Sequence, residues 1–191
     1  MNSMTIIEGS RGVSIGLVND TLFASDSSDN VMTYKKIYYS GDYEDCLYLT
    51  CHGIFVLRDG EIVNSACVYS SGGHTGIHPK CSIFEDNRLL ICCGDSIFCV
   101  ATPELDLSWV TNADGATCFE ILKCEDGYIV HGELEISRID GNGTIIWQFS
   151  GSDIFTTFEG KDDFILNGNV IEVADWNGVT FLIDVKTGKL L

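Results

Sequence analysis

Ile136-Ser137-Arg138-Ile139-Asp140-Gly141-Asn142-Gly143-Thr144-Ile145-Ile146-Trp147 is the stretch on which the reading of the chain turns. A short apolar run leads into alternating Asp, Asn and Gly, and a second apolar run closes on tryptophan. Asp-Gly and Asn-Gly tolerate the positive φ that tight hairpins need, so this is strand, turn, strand. The same punctuation recurs at Asp59-Gly60, Asp126-Gly127, Asn167-Gly168 and Asn177-Gly178. No stretch keeps apolar residues at helical spacing over successive turns, and both prolines, Pro79 and Pro103, fall in expected loops. The chain reads as antiparallel β throughout.

Working outward, the unit repeats. Leu90-Ile91-Cys92-Cys93-Gly94 aligns with Tyr128-Ile129-Val130-His131-Gly132 at a separation of 38 residues, and the same offset places Phe98 on Ile136 and Trp109 on Trp147. A third copy starts at Asp162 and includes Val170–Ala174, the turn Asp175-Trp176-Asn177-Gly178, and Val179–Asp184. A looser copy starts near Asp45, and the first 40 residues hold a weaker unit in Val13–Val18 and Thr21–Ala24. Four strands per unit at a period near 40 is the pattern of stacked small sheets, each burying its faces against its neighbours. On that reading the tryptophans pack between units.

Ile136–Trp147 and Phe181–Leu191 resemble the quinoprotein-like (PQQ-like) propeller repeat, and the period is also WD40-like. The resemblance covers about residues 43–191 and concerns packing, not an active site. It implies an all-β, small or partial β-propeller of about four to five repeats of roughly 38 residues, since 191 residues divide into about five. A β-sandwich is the alternative. The expected organisation is a single domain over 1–191, with 1–42 as an irregular or partial blade and 43–191 as the repeats.

Apolar runs such as Leu89–Cys93 and Ile97–Ala101 fall far short of the roughly 20 residues of a spanning helix. The beginning of the sequence lacks the pattern of a signal peptide, so a cytoplasmic location away from membranes is expected. The nine cysteines, odd in number and set in apolar runs, read as reduced core thiols. With 28 acidic against 11 basic residues the net charge is −17. That balance disfavours nucleic acid, which needs clustered Lys and Arg, and suits a basic protein partner or simple solubility.

Motifs with chemical potential each meet a plain alternative. Gly12-Val13-Ser14-Ile15-Gly16 has the nucleophile-elbow spacing, but strand follows where a helix is required. His74, His78 and Cys81 form the one compact set of metal-competent side chains, yet they lie in a Gly-rich loop without the helix or paired cysteines of common zinc sites. The neighbours Cys92 and Cys93 are expected on opposite faces of a strand, although vicinal disulfides occur in the quinoprotein alcohol dehydrogenases that share the repeat. Glu133 and Glu135 are expected on one face of a strand, as a carboxylate pair or as charge protecting a sheet edge. Acidic loops with interleaved aromatics, among them Asp42, Tyr43, Glu44, Asp45, Glu159, Asp162, Asp163 and Trp176, suit recognition of a basic surface.

Two functions follow. The first is a non-enzymatic protein-binding module, in its sharpest form an immunity or antitoxin-type protein neutralising a basic partner such as a nuclease toxin. The second is a small-ligand, carbohydrate or metal-binding propeller, an enzyme included, working through a central funnel. No catalytic residue and no cofactor is assigned.

Overall fold

The computed structural model describes residues 4–9, 12–24, 27–41, 50–156 and 164–191. These residues contain sixteen strands and no helix, and thus no helix long and apolar enough to cross a membrane. The strands form four sheets. The first contains β1 (Thr5–Glu8), β2 (Val13–Asn19), β3 (Lys36–Tyr39), β4 (Thr50–Arg58) and β5 (Glu61–Ser70), in the order β1-β2-β4-β5-β3. The second is β6 (Ser82–Glu85), β7 (Arg88–Cys93), β8 (Ser96–Ala101) and β9 (Asp106–Asn112), a simple antiparallel meander. The third repeats that meander with β10 (Cys118–Cys124), β11 (Gly127–Gly132), β12 (Glu135–Ile139) and β13 (Ile145–Ser150). The fourth has β14 (Phe164–Asn167), β15 (Val170–Ala174) and β16 (Thr180–Asp184), and Leu190 bridges back to Ile183 on its far edge.

The sheets stack face to face and share three cores. Ile15, Ile54 and Val68 of the first sheet meet Leu89, Ile91 and Phe98 of the second. Leu90, Cys92 and Ile97 on the second sheet's other face meet Ile121, Tyr128 and Val130 of the third. Ile129 and Ile136 meet Phe164, Ile171, Val173 and Ile183 of the fourth. Strands β7 and β8 are buried on both faces, which explains why they read as continuous apolar runs rather than alternating ones. Two opposed sheets would define a sandwich; four in a row do not.

The two tryptophans that end repeats, Trp109 and Trp147, occupy equivalent places. Trp109 covers Gly143 in the next sheet's turn and Trp147 covers Gly188 in the one after, so closely that a Cβ on either glycine would fall inside 3.0 Å of the ring. Earlier in the repeat the register differs from the 38-residue alignment by one. Ile91 faces the preceding sheet, and its counterpart is Val130, not Ile129. Phe98 likewise faces the preceding sheet, whereas Ile136 faces the following one. The true spacing of these strands is 39 residues, and a one-residue slip exchanges the two faces of a strand. The turn that follows is one residue shorter in the third sheet: Val100 opposes Leu107 but Ile139 opposes Ile145, which restores 38 at the tryptophans.

The first sheet corrects the expected boundaries of the units. β2 pairs with β4 along its whole length, from Val13 against Arg58 to Asn19 against His52. The weak early unit and the loose copy near Asp45 are therefore one blade, interrupted by an insertion over 20–49, and the blade number is four. The expected boundary at residue 42 lies outside the described residues. The insertion adds β3 in parallel to β5 and lays Phe23 and Tyr34 over Cys51, Cys67 and Tyr69, covering the first sheet's outer face. The fourth sheet's outer face stays open, with Ile165 50% and Leu182 44% exposed.

All eight described cysteines are free thiols, seven of them buried. Cys92 and Cys93 point into different cores, as alternation requires. Burial pushes both thiols well above the ordinary range, which makes them inert packing groups. Ser14 sits within β2 opposite Leu57, and no helix follows it, so the elbow spacing is a coincidence of sequence.

Candidate functional site: an acidic rim

Alternating strand directions sort the turns into two rims. One, here the upper, carries Gly94-Asp95, Glu133-Leu134 and Asp175–Gly178 together with the connections between sheets. The other, the lower, carries Asp59-Gly60, Asp86-Asn87, Glu125-Asp126 and Asp140–Thr144.

At the upper rim, backbone bonds latch each sheet to the next. Asp95 N donates to Ser71 O at 2.9 Å, Cys118 N to Gly94 O at 2.7 Å, Phe155 N to Glu133 O at 2.7 Å, and Trp176 N to Ile154 O at 2.8 Å. Carboxylates brace the latches. Asp114, 1% exposed, accepts from Ala116 N at 2.6 Å and Thr117 N at 2.9 Å on one oxygen. Its other oxygen accepts from Leu134 N at 2.8 Å and Glu135 N at 2.7 Å in the next blade. Asp95 accepts from the hydroxyls of Ser70, Ser71 and Ser96. Asp175, fully buried, accepts from Ser152 Oγ and from Val179 N. A carboxylate is the right group for such a place, since it accepts several N–H bonds and needs no donor of its own.

Glu133 and Glu135 are the nearer-surface members. Only Glu135 belongs to β12; Glu133 lies in the preceding turn, so the pair does not arise from strand alternation. Glu133 takes the Thr117 hydroxyl at 2.9 Å, while Glu135 takes Ser150 Oγ at 3.0 Å. Each is held by a separate partner, an arrangement for presenting charge and not for sharing a proton. Between and beside them stand Leu134, 41% exposed, and Trp176, 47% exposed. Asp153 adds a further exposed carboxylate, held by Asn177 Nδ2 at 3.0 Å. Asp42, Tyr43, Glu44, Asp45, Glu159, Asp162 and Asp163 lie outside the described residues. Thr50 and Phe164, the first described residues after those segments, both stand at this rim.

Basic residues are placed elsewhere. Nine of the eleven are described, and Lys80 is the one at the upper rim, paired with Glu120 at 3.4 Å. At the lower rim Lys36 pairs with Asp106, Lys123 with Glu85, and Lys186 with Glu125. Arg88 donates to Gly141 O and Arg138 to Lys186 O, tying each blade to the next blade's turn. Among the described residues the cations gather at the lower rim, and the upper one is acidic.

The metal-competent loop does not assemble a site. His78 Nε2 lies 3.0 Å from Phe119 O, Cys81 is fully buried in the second core, and His74 is exposed. Among the described residues no three His, Cys, Asp or Glu side chains converge as metal ligands. A cavity of about 190 Å³ on the inner edge, between Ile7, Leu17, His78 and Phe84, carries His78 as its titratable group. A second cavity, of about 250 Å³, lies over the first sheet between Asp20 and Asp29, a place that no motif marked.

No family model and no curated protein matches the chain. Solved structures do. The AfRom2 CNH domain is 12% identical, with a TM-score of 0.52 over 100% of this chain and 53% of that one. The computationally designed Ika8 protein is 11% identical, with a TM-score of 0.53 over 99% and 60%. BamB from Moraxella catarrhalis is 14% identical, with a TM-score of 0.48 over 98% and 56%. The chain spans about half to three-fifths of the length of these structures. It has a β-propeller-type fold, represented here by four blades in an open stack.

Proposed function

We propose that the chain is a non-enzymatic protein-binding module whose upper rim receives a basic surface of a partner protein. Its sharpest form is an immunity-type role, in which the rim occludes the cationic surface of a toxin such as a nuclease. The separation of charge between the rims carries this reading: the upper carboxylates are fixed by hydrogen bonds, accompanied by the exposed Leu134 and Trp176, and opposed among the described cations by Lys80. Fixed charge steers a complementary partner into contact, and apolar anchors slow its departure.

The test is capture from the native host on immobilised protein, followed by mass spectrometry, with a Glu133→Lys/Glu135→Lys variant run alongside. The reading expects a stoichiometric basic protein that raised salt releases and the variant fails to hold. An acidic partner, or equal capture by the variant, would overturn it.

A further inference from the structure

We infer that the cavity between Asp20 and Asp29 is a socket for one arginine or lysine side chain of the protein partner. The inference rests on the proposed binding role and names its anchor. The cavity lies where the insertion leaves the upper end of β2, tied down by Asp20 N donating to Cys51 O at 3.1 Å. It is therefore continuous with the acidic rim. Its apolar lining residues are Val18, Leu22, Phe23, Val31 and Met32, and its polar ones are Asp20, Asp29 and Asn30. Apolar walls ending in carboxylates match a long aliphatic stem that ends in a cation.

Three further observations support a ligand of that kind. Leu22 is 90% exposed and Val31 is 91% exposed, two large apolar side chains lining one cavity and covered by none of the described residues. The volume, about 250 Å³, lies below the roughly 300–1,000 Å³ of small-molecule sites, which fits one side chain better than a cofactor. The socket is also preformed. Asn30 braces the loop through Nδ2 to Ala24 O at 2.6 Å and to Ser27 O at 2.9 Å, and accepts from Ala24 N at 3.0 Å. Tyr34 donates to Asp20 Oδ2 at 2.7 Å and stacks edge-on against Phe23, whose carbonyl accepts from Tyr69 at 2.7 Å. Burial and that bond keep the Tyr34 phenol protonated, so it stays a donor that fixes the orientation of the Asp20 side chain. A site held open by its own hydrogen bonds loses little entropy on binding.

The probe is N-acetyl-arginine methylamide, titrated against the whole chain while the methyl resonances of Leu22, Val31 and Met32 are followed by NMR. The citrulline analogue, equal in shape and uncharged, is the control. Saturable shifts at these methyls are expected, with citrulline at least about tenfold weaker and Asp29→Asn weakening arginine several-fold. Glu133→Lys/Glu135→Lys should leave this local binding largely in place. Absent shifts, equal binding of citrulline, or indifference to Asp29→Asn would overturn the socket. Partner capture that persists in Asp29→Asn would overturn its anchoring role while leaving the rim reading intact; loss of capture in the rim variant alone bears on the rim.

Discussion

The two rims are built from the same parts and put them to different use. Both are rows of Asp- and Gly-rich turns at strand ends. At the lower rim, Asp140 accepts from Asn142 N and Thr144 N within its own turn, and Asp184 does the same for Thr187. Those bonds hold both carboxyls below the usual carboxylate range. Lys and Arg side chains from neighbouring blades offset the remaining charge. At the upper rim the carboxylates reach across to other blades, and among the described residues no comparable set of cations answers them. Local turn capping needs no partner, whereas an acidic ridge joined to its scaffold keeps its charge available. The difference teaches that hydrogen-bond satisfaction and charge compensation are separate matters, and among the described residues the lower rim has far more of the second.

The largest expected effect comes from Asp114→Ala. Four backbone N–H groups would lose their acceptor in a buried place, at a cost of about 3–5 kcal/mol by denaturant titration. Asp140→Ala, at an exposed turn, should be clearly milder. Equal losses would erase the contrast between the rims.

Acidification should also act through the upper half, where all four histidines stand. His52 is fully buried, neither ring nitrogen meets a hydrogen-bond partner among the described residues, and burial, aided by the nearby His74, lowers its pKa to about 4. The unfolded chain takes up that proton near pH 6.5 and the folded one does not, so stability from this group falls as pH drops from 6.5 towards 4. The loss reaches at most about 3 kcal/mol. His52→Phe should flatten this part of the pH profile; an unchanged profile would show that another group carries it.

Gly143→Ala probes the lower rim. The residue has φ of 83° and its added Cβ would meet the Trp109 ring, so a loss above about 1 kcal/mol is expected. Gly60→Ala, at the same φ of 83° but with open space around it, separates backbone strain from the tryptophan contact. Smallest in stability is Trp176→Ala, expected within about 0.5 kcal/mol in melting experiments because the ring is half-exposed. Its effect belongs to partner binding.

What was legible in the sequence was local. The turn over Asp140–Thr144 is written in adjacent residues, and Trp109 and Trp147 pack between units as the repeat suggested, each against a glycine in the next unit's turn. The first blade was not legible, because β2 and β4 are separated by the insertion and only long-range pairing joins them. The 38-residue alignment misplaced Phe98 because a shorter turn compensates the 39-residue strands before the tryptophan, and identity at Trp hid the slip. Glu133 and Glu135 were singled out for a shared strand face, a geometry that Glu133 does not have because it lies in the turn before β12. Asp114 and the socket at Asp20 carry no motif at all. They become visible only once strand direction decides which turns share an end.

The most direct test of the account is the affinity of a captured basic partner for two variants of equal charge change, followed across salt concentrations. Glu133→Lys/Glu135→Lys reverses the upper rim and Glu125→Lys/Asp126→Lys the lower. The account predicts that the first weakens binding about tenfold or more and flattens the salt dependence, and that the second changes little. Equal weakening by both would mean that net charge alone acts, and the acidic rim would have no special part in binding.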